Sequence, residues 1–212
     1  MDPARRAGRA GRWAFTLVEL LLVMSIMTIL AAILLSVIVG ARGVVRAKTA
    51  SIEMNMFKMG LEKYRDELKQ YPADTIPGNN DSGTSATMAG QRAMNEALIY
   101  ALTRKHKKGL NTYGPYVNLK EGSLQDSDND GYMEHLDPFG NFYLYAENES
   151  QTLQNEKDGV EDPGVGFQPR SYDLVTPGPD HVLGGTISPE NGFQGEDSSA
   201  TKDDVYSWRS KQ

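Results

Sequence analysis

The strongest constraint on this chain is an apolar run at residues 15–39, in which Glu19 is the single charged side chain among 25 residues. At 1.5 Å per residue a helix of this length reaches roughly 37 Å, and the hydrocarbon core of a bilayer is about 30 Å thick. The run is therefore long enough to cross a membrane. Because an acid inside the hydrocarbon layer costs on the order of 2.5–3.5 kcal/mol, Glu19 requires a partner.

Charge is distributed unevenly along the chain. Residues 1–14 contain four arginines and one aspartate, a net charge of +3. Basic residues are more dilute after the apolar run, so the positive charge before it predicts an N-terminus in the cytoplasm. Residues 121–212 contain 19 acidic and 5 basic residues, a net charge of −14. This acidic half argues against nucleic-acid binding and favours cations or solvation.

Two simpler interpretations of the apolar run account for it less well. A secretory signal cleaved after Ala41 would have an apolar core of about 7–15 residues, which is shorter than this run. A plain signal anchor would have a suitable length but would give Glu19 no role. Both alternatives leave the acid within the run unexplained.

The junction before the run resembles a known processing signal. After the basic leader, residues 14–19 read Ala-Phe-Thr-Leu-Val-Glu, which resembles the class III signal of type IV pilins and pseudopilins. The resemblance implies that a prepilin peptidase cleaves between Ala14 and Phe15 and methylates the new amine. It also implies that Glu19 faces the N-terminal amine of a neighbouring subunit in a filament. The chain departs from the pattern at Ala14, where the family strongly prefers glycine.

Beyond the run, apolar residues recur at alternating spacings of three and four. This pattern predicts an amphipathic helix over residues 40–71, with its stripe laid on a sheet and its end at Pro72. The stripe consists of Ala47, Ala50, Met54, Phe57, Leu61, Tyr64, Leu68 and Tyr71. Together with the apolar run it predicts one long helix over residues 15–71. A coiled coil is the competing interpretation, to which the alanines, tyrosines and few complementary charges are less suited.

An acidic segment at residues 126–137, DSDNDGYMEHLD, matches the ligand spacing of a calcium loop. Its candidate ligands are Asp126, Asp128, Asp130, the carbonyl of Tyr132, Glu134 and Asp137. Alternate side chains of a tight loop converge on one point, and Gly131 permits the sharp turn. We expect a structural Ca²⁺ site with an affinity of roughly 10⁻⁴–10⁻³ M, the range of extracellular modules. The alternative is a solvated acidic turn.

A metal ion would also stabilise a domain that cannot form disulfides. The chain contains no cysteine, so a small domain outside the cytoplasm needs another staple, such as a metal or oligomerisation. Around the acidic loop, the sequence predicts a second helix near residues 91–106 and strands near 142–145 and 171–175. The predicted fold class is α+β, with the long helix on a small antiparallel sheet.

Patches of the C-terminal part resemble the major pseudopilin of type II secretion. The matching segments are Tyr64-Arg65, Tyr71-Pro72, Gly114 to Val117, Asp137 to Tyr143, Tyr172-Asp173-Leu174, Gly178-Pro179-Asp180 and Asp204 to Trp208. The resemblance implies a periplasmic globular domain over residues 72–212 and a second calcium site that uses Asp180 and Asp204. The chain departs from the family at Lys202, where an acid is expected. Its loop between Gly185 and Asp203 is also longer than is usual in the family.

We expect no catalytic activity. The three histidines, His106, His135 and His181, are scattered, no nucleophile elbow is present, and their spacing does not match a zinc site. We expect His106 to lie in the solvated end of the second helix.

The resemblance implies a structural subunit of a periplasmic pseudopilus, anchored by a single pass in the inner membrane, that drives type II protein secretion. Its implied partners are further copies of itself, other pseudopilins, inner-membrane secretion components and the prepilin peptidase. Two alternatives stay open: a type IV pilin of a surface fibre for adhesion, motility or DNA uptake, and a calcium-dependent binding module on a membrane anchor.

Overall fold

The computed structural model describes residues 16–76, 84–120, 122–159, 168–188, 192–194 and 205–206. The chain divides into two compact units, Met1–Gly43 and Val44–Gln212. Helix α1, Leu17–Leu68, has 52 residues and contributes to both units. The fold is α+β, as the sequence predicts, with an N-terminal apolar helix and small antiparallel sheets.

In the first unit, α1 presents apolar side chains on every side. The large apolar residues from Leu17 to Leu34 are between 43% and 79% exposed. The segment Leu17–Leu34 is long and apolar enough to cross a membrane, and none of it is buried. The hydroxyls of Ser25 and Thr28 donate to the carbonyls of Leu22 and Met24 within the helix. These two polar side chains are therefore satisfied without water.

In the second unit, the predicted apolar stripe of α1 is confirmed as its buried face. Its members from Ala50 to Leu68 are at most 9% exposed, and only Ala47 is half-buried. The helix ends at Leu68, before Pro72 and three residues short of the predicted end. Lys69 adopts a φ of 65° and its N–H donates to the Arg65 carbonyl. A left-handed residue therefore closes the helix before the proline can.

Helix α2, Met88–Thr103, confirms the predicted second helix but lies three residues earlier at each end. It begins at Thr87, whose hydroxyl accepts a hydrogen bond from the Gly90 N–H at 3.1 Å. The expectation that His106 ends this helix is wrong, because His106 begins a β-hairpin whose turn holds Gly109 in the left-handed region. Its ring Nε2 lies 2.6 Å from the Ala101 carbonyl.

The remaining described elements are a short helix and nine strands, all paired antiparallel. They are β1 His106–Lys108, β2 Asn111–Tyr113, β3 Leu124–Gln125, β4 Glu134–His135, β5 Leu144–Glu147, α3 Glu149–Lys157, β6 Tyr172–Thr176, β7 Thr186–Ser188, β8 Gly192–Gln194 and β9 Val205–Tyr206. The pairs are β1–β2, β3–β4 and β7–β8, and the fourth sheet has the order β5-β6-β9. Strands β5 and β6 fall within two residues of the predicted ones and pair with Leu144 opposite Val175.

The core of the second unit lies where α1, α2 and strands β5 and β6 meet. Phe57 of α1 packs edge-on against Tyr143, with ring centroids 5.0 Å apart. Asn95 of α2 is fully buried, and its amide bonds the backbones of His135 and Tyr143. Because a buried amide is costly unless satisfied, this contact fixes α2 against the β3–β4 hairpin. The acidic loop emerges from that hairpin.

Candidate functional sites at the acidic loop and at Glu19

The acidic loop connects two paired strands. In the β3–β4 hairpin Leu124 pairs with His135 and Gln125 with Glu134, so residues 126–133 form the loop between them. Asn129 and Gly131 adopt positive φ values of 62° and 91°. Both residue types tolerate this region, so the backbone reverses twice within a few residues.

Three of the predicted ligands come together in this loop. The carboxylates of Asp126, Asp128 and Asp130 each offer an oxygen within 4.8 Å of the other two. The two oxygens of Asp126 accept from the N–H groups of Asp130 and Gly131 at 3.2 and 3.1 Å. Asp130 accepts from the Tyr132 N–H at 2.8 Å. Backbone donors therefore hold two of the three carboxylates in place before any cation arrives.

The spacing of the three carboxylates fits a hard cation. Calcium binds oxygens at about 2.3–2.6 Å, so ligand oxygens on opposite sides of the ion lie roughly 5 Å apart. Three carboxylates within 4.8 Å of one another meet this limit. They supply three of the six to eight oxygens that calcium takes, and the rest would come from carbonyls or water.

The structure places Glu134, the predicted ninth position of the loop, in a different group. Its side chain is fully buried, and it accepts from both the N–H and the hydroxyl of Ser127, the latter at 2.5 Å. It shares a cluster with Glu96 and Asp128 rather than with Asp126 and Asp130. Glu134 therefore stabilises the base of the loop through Ser127, and Asp128 belongs to both acidic groups.

Arg92 of α2 contacts this candidate site, although sequence reasoning missed it. Its Nη1 lies 2.9 Å from an Asp128 oxygen, and its Nε lies 3.5 Å from a Glu134 oxygen. The guanidinium thus supplies positive charge to the acidic loop from another element. No local signal could have shown this pair, because Arg92 and Asp128 are 36 positions apart.

Asp137, the predicted twelfth position of the loop, belongs to the turn that follows. Its Oδ1 accepts from the N–H groups of Phe139 and Asn141, both at 2.8 Å, and its Oδ2 accepts from the Thr176 hydroxyl at 2.8 Å. The side chain is buried. Both oxygens are therefore engaged by the Asp-Pro-Phe-Gly-Asn turn and by strand β6.

The candidates for the second calcium site are only partly described. Asp180 is exposed and accepts from the Val182 N–H at 2.9 Å, while Asp204 lies outside the described residues. Beside Asp180, the His181 ring approaches the Asn141 side-chain oxygen at 2.5 Å. The Asn141 amide donates to the carbonyls of Pro177 and Gly178. This corner therefore packs against the turn built on Asp137.

Glu19 has a local partner that sequence reasoning overlooked. Thr16 precedes α1, and its carbonyl accepts from the Leu20 N–H. The Thr16 hydroxyl accepts from the Glu19 N–H at 3.2 Å, and the Glu19 Oε2 accepts from the Thr16 N–H at 3.0 Å. These reciprocal bonds form a capping box, whose Thr-x-x-Glu signature is visible in the sequence. Ala14 and Phe15, the predicted processing residues, lie outside the described part of the chain.

One further polar contact joins α1 to the hairpin. Glu53 accepts from the Tyr143 hydroxyl at 2.6 Å and lies 3.5 Å from the His135 Nε2. Burial alone would raise the pKa of Glu53, but the contacts with His135 and Tyr143 outweigh burial and lower the pKa. Burial likewise opposes the charge on His135, yet Glu53 and the Ser123 carbonyl raise the pKa of that ring. A charged pair across these elements is therefore favoured.

Comparison with family models, with curated proteins and with solved structures finds no match for this chain.

Proposed function

We propose that this chain is a structural subunit of a type IV pilin-like filament, specifically of a periplasmic pseudopilus that drives type II protein secretion. In this proposal the chain is held in the inner membrane by the segment Leu17–Leu34, with the second unit in the periplasm. Subunits then leave the membrane and polymerise, and growth of the filament moves folded cargo outward.

The observation that carries the proposal is the exposed first part of α1. Large apolar side chains from Leu17 to Leu34 are between 43% and 79% exposed, and none of that segment is buried. So much exposed apolar surface requires either lipid or another protein. A subunit that passes from a membrane to a filament core would use the same surface against both, in turn.

Glu19 would determine how neighbouring subunits align along this apolar surface. Its Oε2 is engaged by Thr16, whereas its Oε1 accepts no hydrogen bond from any described residue. Cleavage before Phe15 would leave the Thr16 N–H in place, so the capping box would survive processing. The second oxygen would then meet the N-terminal amine of a neighbouring subunit, and an acid that is costly in lipid would be neutralised only on assembly.

Calcium would stabilise the periplasmic unit. Asp126, Asp128 and Asp130 would hold the ion, and Arg92 would share the charge of Asp128 from α2. When bound, the ion would neutralise a loop whose aspartates otherwise repel one another. In a chain without cysteine it would act as a staple for the β3–β4 hairpin.

The proposal is tested first at the N-terminus of the native protein. Mass spectrometry of the chain purified from membranes should find a mature protein that begins at methylated Phe15. Replacing Ala14→Leu should block processing because a bulky residue occupies the cleavage position, while Ala10→Leu serves as the matched control and should be processed normally. A mature chain that begins at Met1 or at Arg42 would contradict the proposal.

The secretion role is tested by deleting the gene. Loss of folded cargo from the medium, with surface fibres unchanged, is the expected result. Loss of surface fibres with normal secretion would instead identify a pilin of a surface fibre. A chain that is neither processed nor assembled, but that still binds calcium, would identify a binding module on a membrane anchor.

A further inference from the structure

A basic block interrupts this otherwise acidic chain. Between Glu96 and Glu121 the sequence contains five lysines and arginines and no acidic residue, although the whole chain has a net charge of −6. Four of the five, Arg104, Lys105, Lys107 and Lys108, lie on or beside strand β1. The segment 104–113, from Arg104 to the end of strand β2, is called the basic hairpin below.

The cations of the basic hairpin are exposed and lack acidic partners among the described residues. All four side chains are exposed, and none of them forms an ion pair with another described residue. The Arg104 guanidinium lies over the Tyr100 ring at 4.1 Å, and the Lys108 Nζ donates to the Leu68 carbonyl at 2.7 Å. Lys105 and Lys107 have no such contact among the described residues.

The tip of the basic hairpin adds an apolar contact point. Leu110, in the turn beside Gly109, is completely exposed, with a relative accessibility of 105%. Like charges gathered on a two-stranded hairpin repel one another and produce a local positive potential. An exposed leucine among lysines is typical of a surface that docks on a partner with acidic side chains and an apolar patch.

We propose that the basic hairpin docks on the acidic C-terminal half of a second copy of this chain. The inference rests on the proposed function, because it names the partner within the filament. Residues 121–212 carry a net charge of −14, and Asp158, which lies outside the acidic loop, is exposed. Each copy thus carries both halves of a complementary pair, as a head-to-tail contact between identical subunits requires.

Within the second unit, the basic hairpin lies at the far end of α1 from the first residue of the unit. The basic hairpin contacts Leu68 at the end of α1, and Val44, the first residue of this unit, lies 24 residues earlier in the helix. At 1.5 Å per residue that separation is roughly 36 Å. The hairpin therefore lies at the end of this helical segment that is opposite to the first residue of the unit. A second copy supplies the acidic surface from its own residues 121–212.

The contact is tested by zero-length cross-linking of the full-length chain in detergent at low salt. Carbodiimide joins a lysine to a carboxylate only when they are in contact. A mixture of isotopically labelled and unlabelled protein shows by mass spectrometry which cross-links join two copies. The expected products join Lys105 or Lys107 of one copy to an acid within residues 121–212 of another.

Charge reversal gives the matched comparison. Lys105→Glu with Lys107→Glu should lower the yield of dimer roughly tenfold when it is measured by analytical ultracentrifugation, which does not depend on the lysine amines that the variant lacks. The reason is that like charges at an interface cost more than one exposed ion pair contributes. Lys48→Glu with Lys63→Glu changes the net charge equally at two exposed lysines of α1, and it should leave the yield within about twofold. High salt should reduce dimers of the unaltered chain.

Three results would overturn the inference. They are cross-links confined within one copy, a dimer yield indifferent to the reversal at Lys105 and Lys107, and binding to phosphatidylglycerol vesicles that the reversal abolishes while dimers persist. Filaments that need Glu19 but ignore the two lysines would refute this contact and leave the proposed function intact. Dimers that need the lysines, in a chain that is never processed, would support the contact and refute the filament.

Discussion

The two parts of α1 contain similar apolar residues, which are exposed in the first part and buried in the second. Leucines, isoleucines and methionines from Leu17 to Leu34 are largely exposed, whereas the stripe from Ala50 to Leu68 is buried against α2 and the sheet. The first part is apolar on all sides, and the second is apolar on one side only. The comparison teaches that apolar content alone does not define a core. The spacing of the apolar residues along the helix indicates whether the surface that covers them lies within the same chain or outside it.

The largest expected effect comes from making one substitution in both parts. Leu61 is fully buried and Leu30 is 54% exposed. We expect Leu61→Ala to lower the free energy of unfolding of the second unit by about 2–5 kcal/mol, because it leaves a cavity, and Leu30→Ala to change it by less than about 0.5 kcal/mol. Denaturant unfolding of the full chain in detergent, followed by near-ultraviolet circular dichroism, measures both. Equal losses of unfolding free energy from the two variants would contradict the contrast between a buried and an exposed part of α1.

The repeating parts of this fold could be predicted because their signals are local. The stripe of α1 and the run at Tyr172–Thr176 each show a hydrophobic pattern within one element. The ends of elements were less predictable. Lys69 closes α1 through its backbone conformation, and the start of β1 depends on a turn at Gly109. Neither conformation is determined by hydrophobic spacing.

A second contrast concerns charge, since the exposed segment of α1 holds a single acid whereas the second unit buries several. Burial raises the pKa of Asp74 from 3.8 to about 7, against the hydrogen bond from the Glu147 N–H. The folded state therefore favours the protonated form. The stability that this group contributes is fully present below about pH 4 and is lost as the pH rises through 7.

Asp74→Asn should remove this pH dependence. We expect it to raise the free energy of unfolding by about 1–3 kcal/mol at pH 8 and to change it little at pH 4. Asp66→Asn, at an exposed position of α1, is the control and should have no effect at either pH. Unfolding measured across this range tests the sign, and a variant that is destabilised at pH 8 would contradict it.

Calcium should act on the second unit alone. With a Kd of about 1 mM, 10 mM calcium should stabilise the fold by about 1.4 kcal/mol. Asp130→Asn should abolish this gain, and Asp158→Asn, at an exposed acid outside the loop, should retain it. Asp137→Asn should weaken the fold equally with and without calcium, because Asp137 serves the following turn. Unfolding in calcium and in chelator measures all three, and a gain that survives Asp130→Asn would rule out the loop.

The candidate sites were predictable only within one loop. Alternate aspartates converge because the loop is short, so Asp126, Asp128 and Asp130 could be grouped from their spacing. Asp137 fits both a calcium loop and a turn by sequence, and hydrogen bonds to both of its oxygens show its part in the turn. Arg92 with Asp128 and Glu53 with Tyr143 join positions 36 and 90 apart, which only the tertiary fold brings together.

The capping box at Thr16 and Glu19 permits the most direct test of the account. Glutamine at the third helical position can still receive the Thr16 N–H, so Glu19→Gln keeps the box and removes only the charge. Thr16→Ala is the matched control, since it removes the hydroxyl contacts and leaves the charge in place.

Filament yield, measured by electron microscopy and by sedimentation of sheared fibres, separates the two roles of Glu19. The account predicts that Glu19→Gln is processed and inserted normally yet forms no filaments, and that Thr16→Ala forms filaments close to the unaltered yield. Normal filaments from Glu19→Gln would show that the acid serves only to begin the helix, and would contradict assembly through its charge.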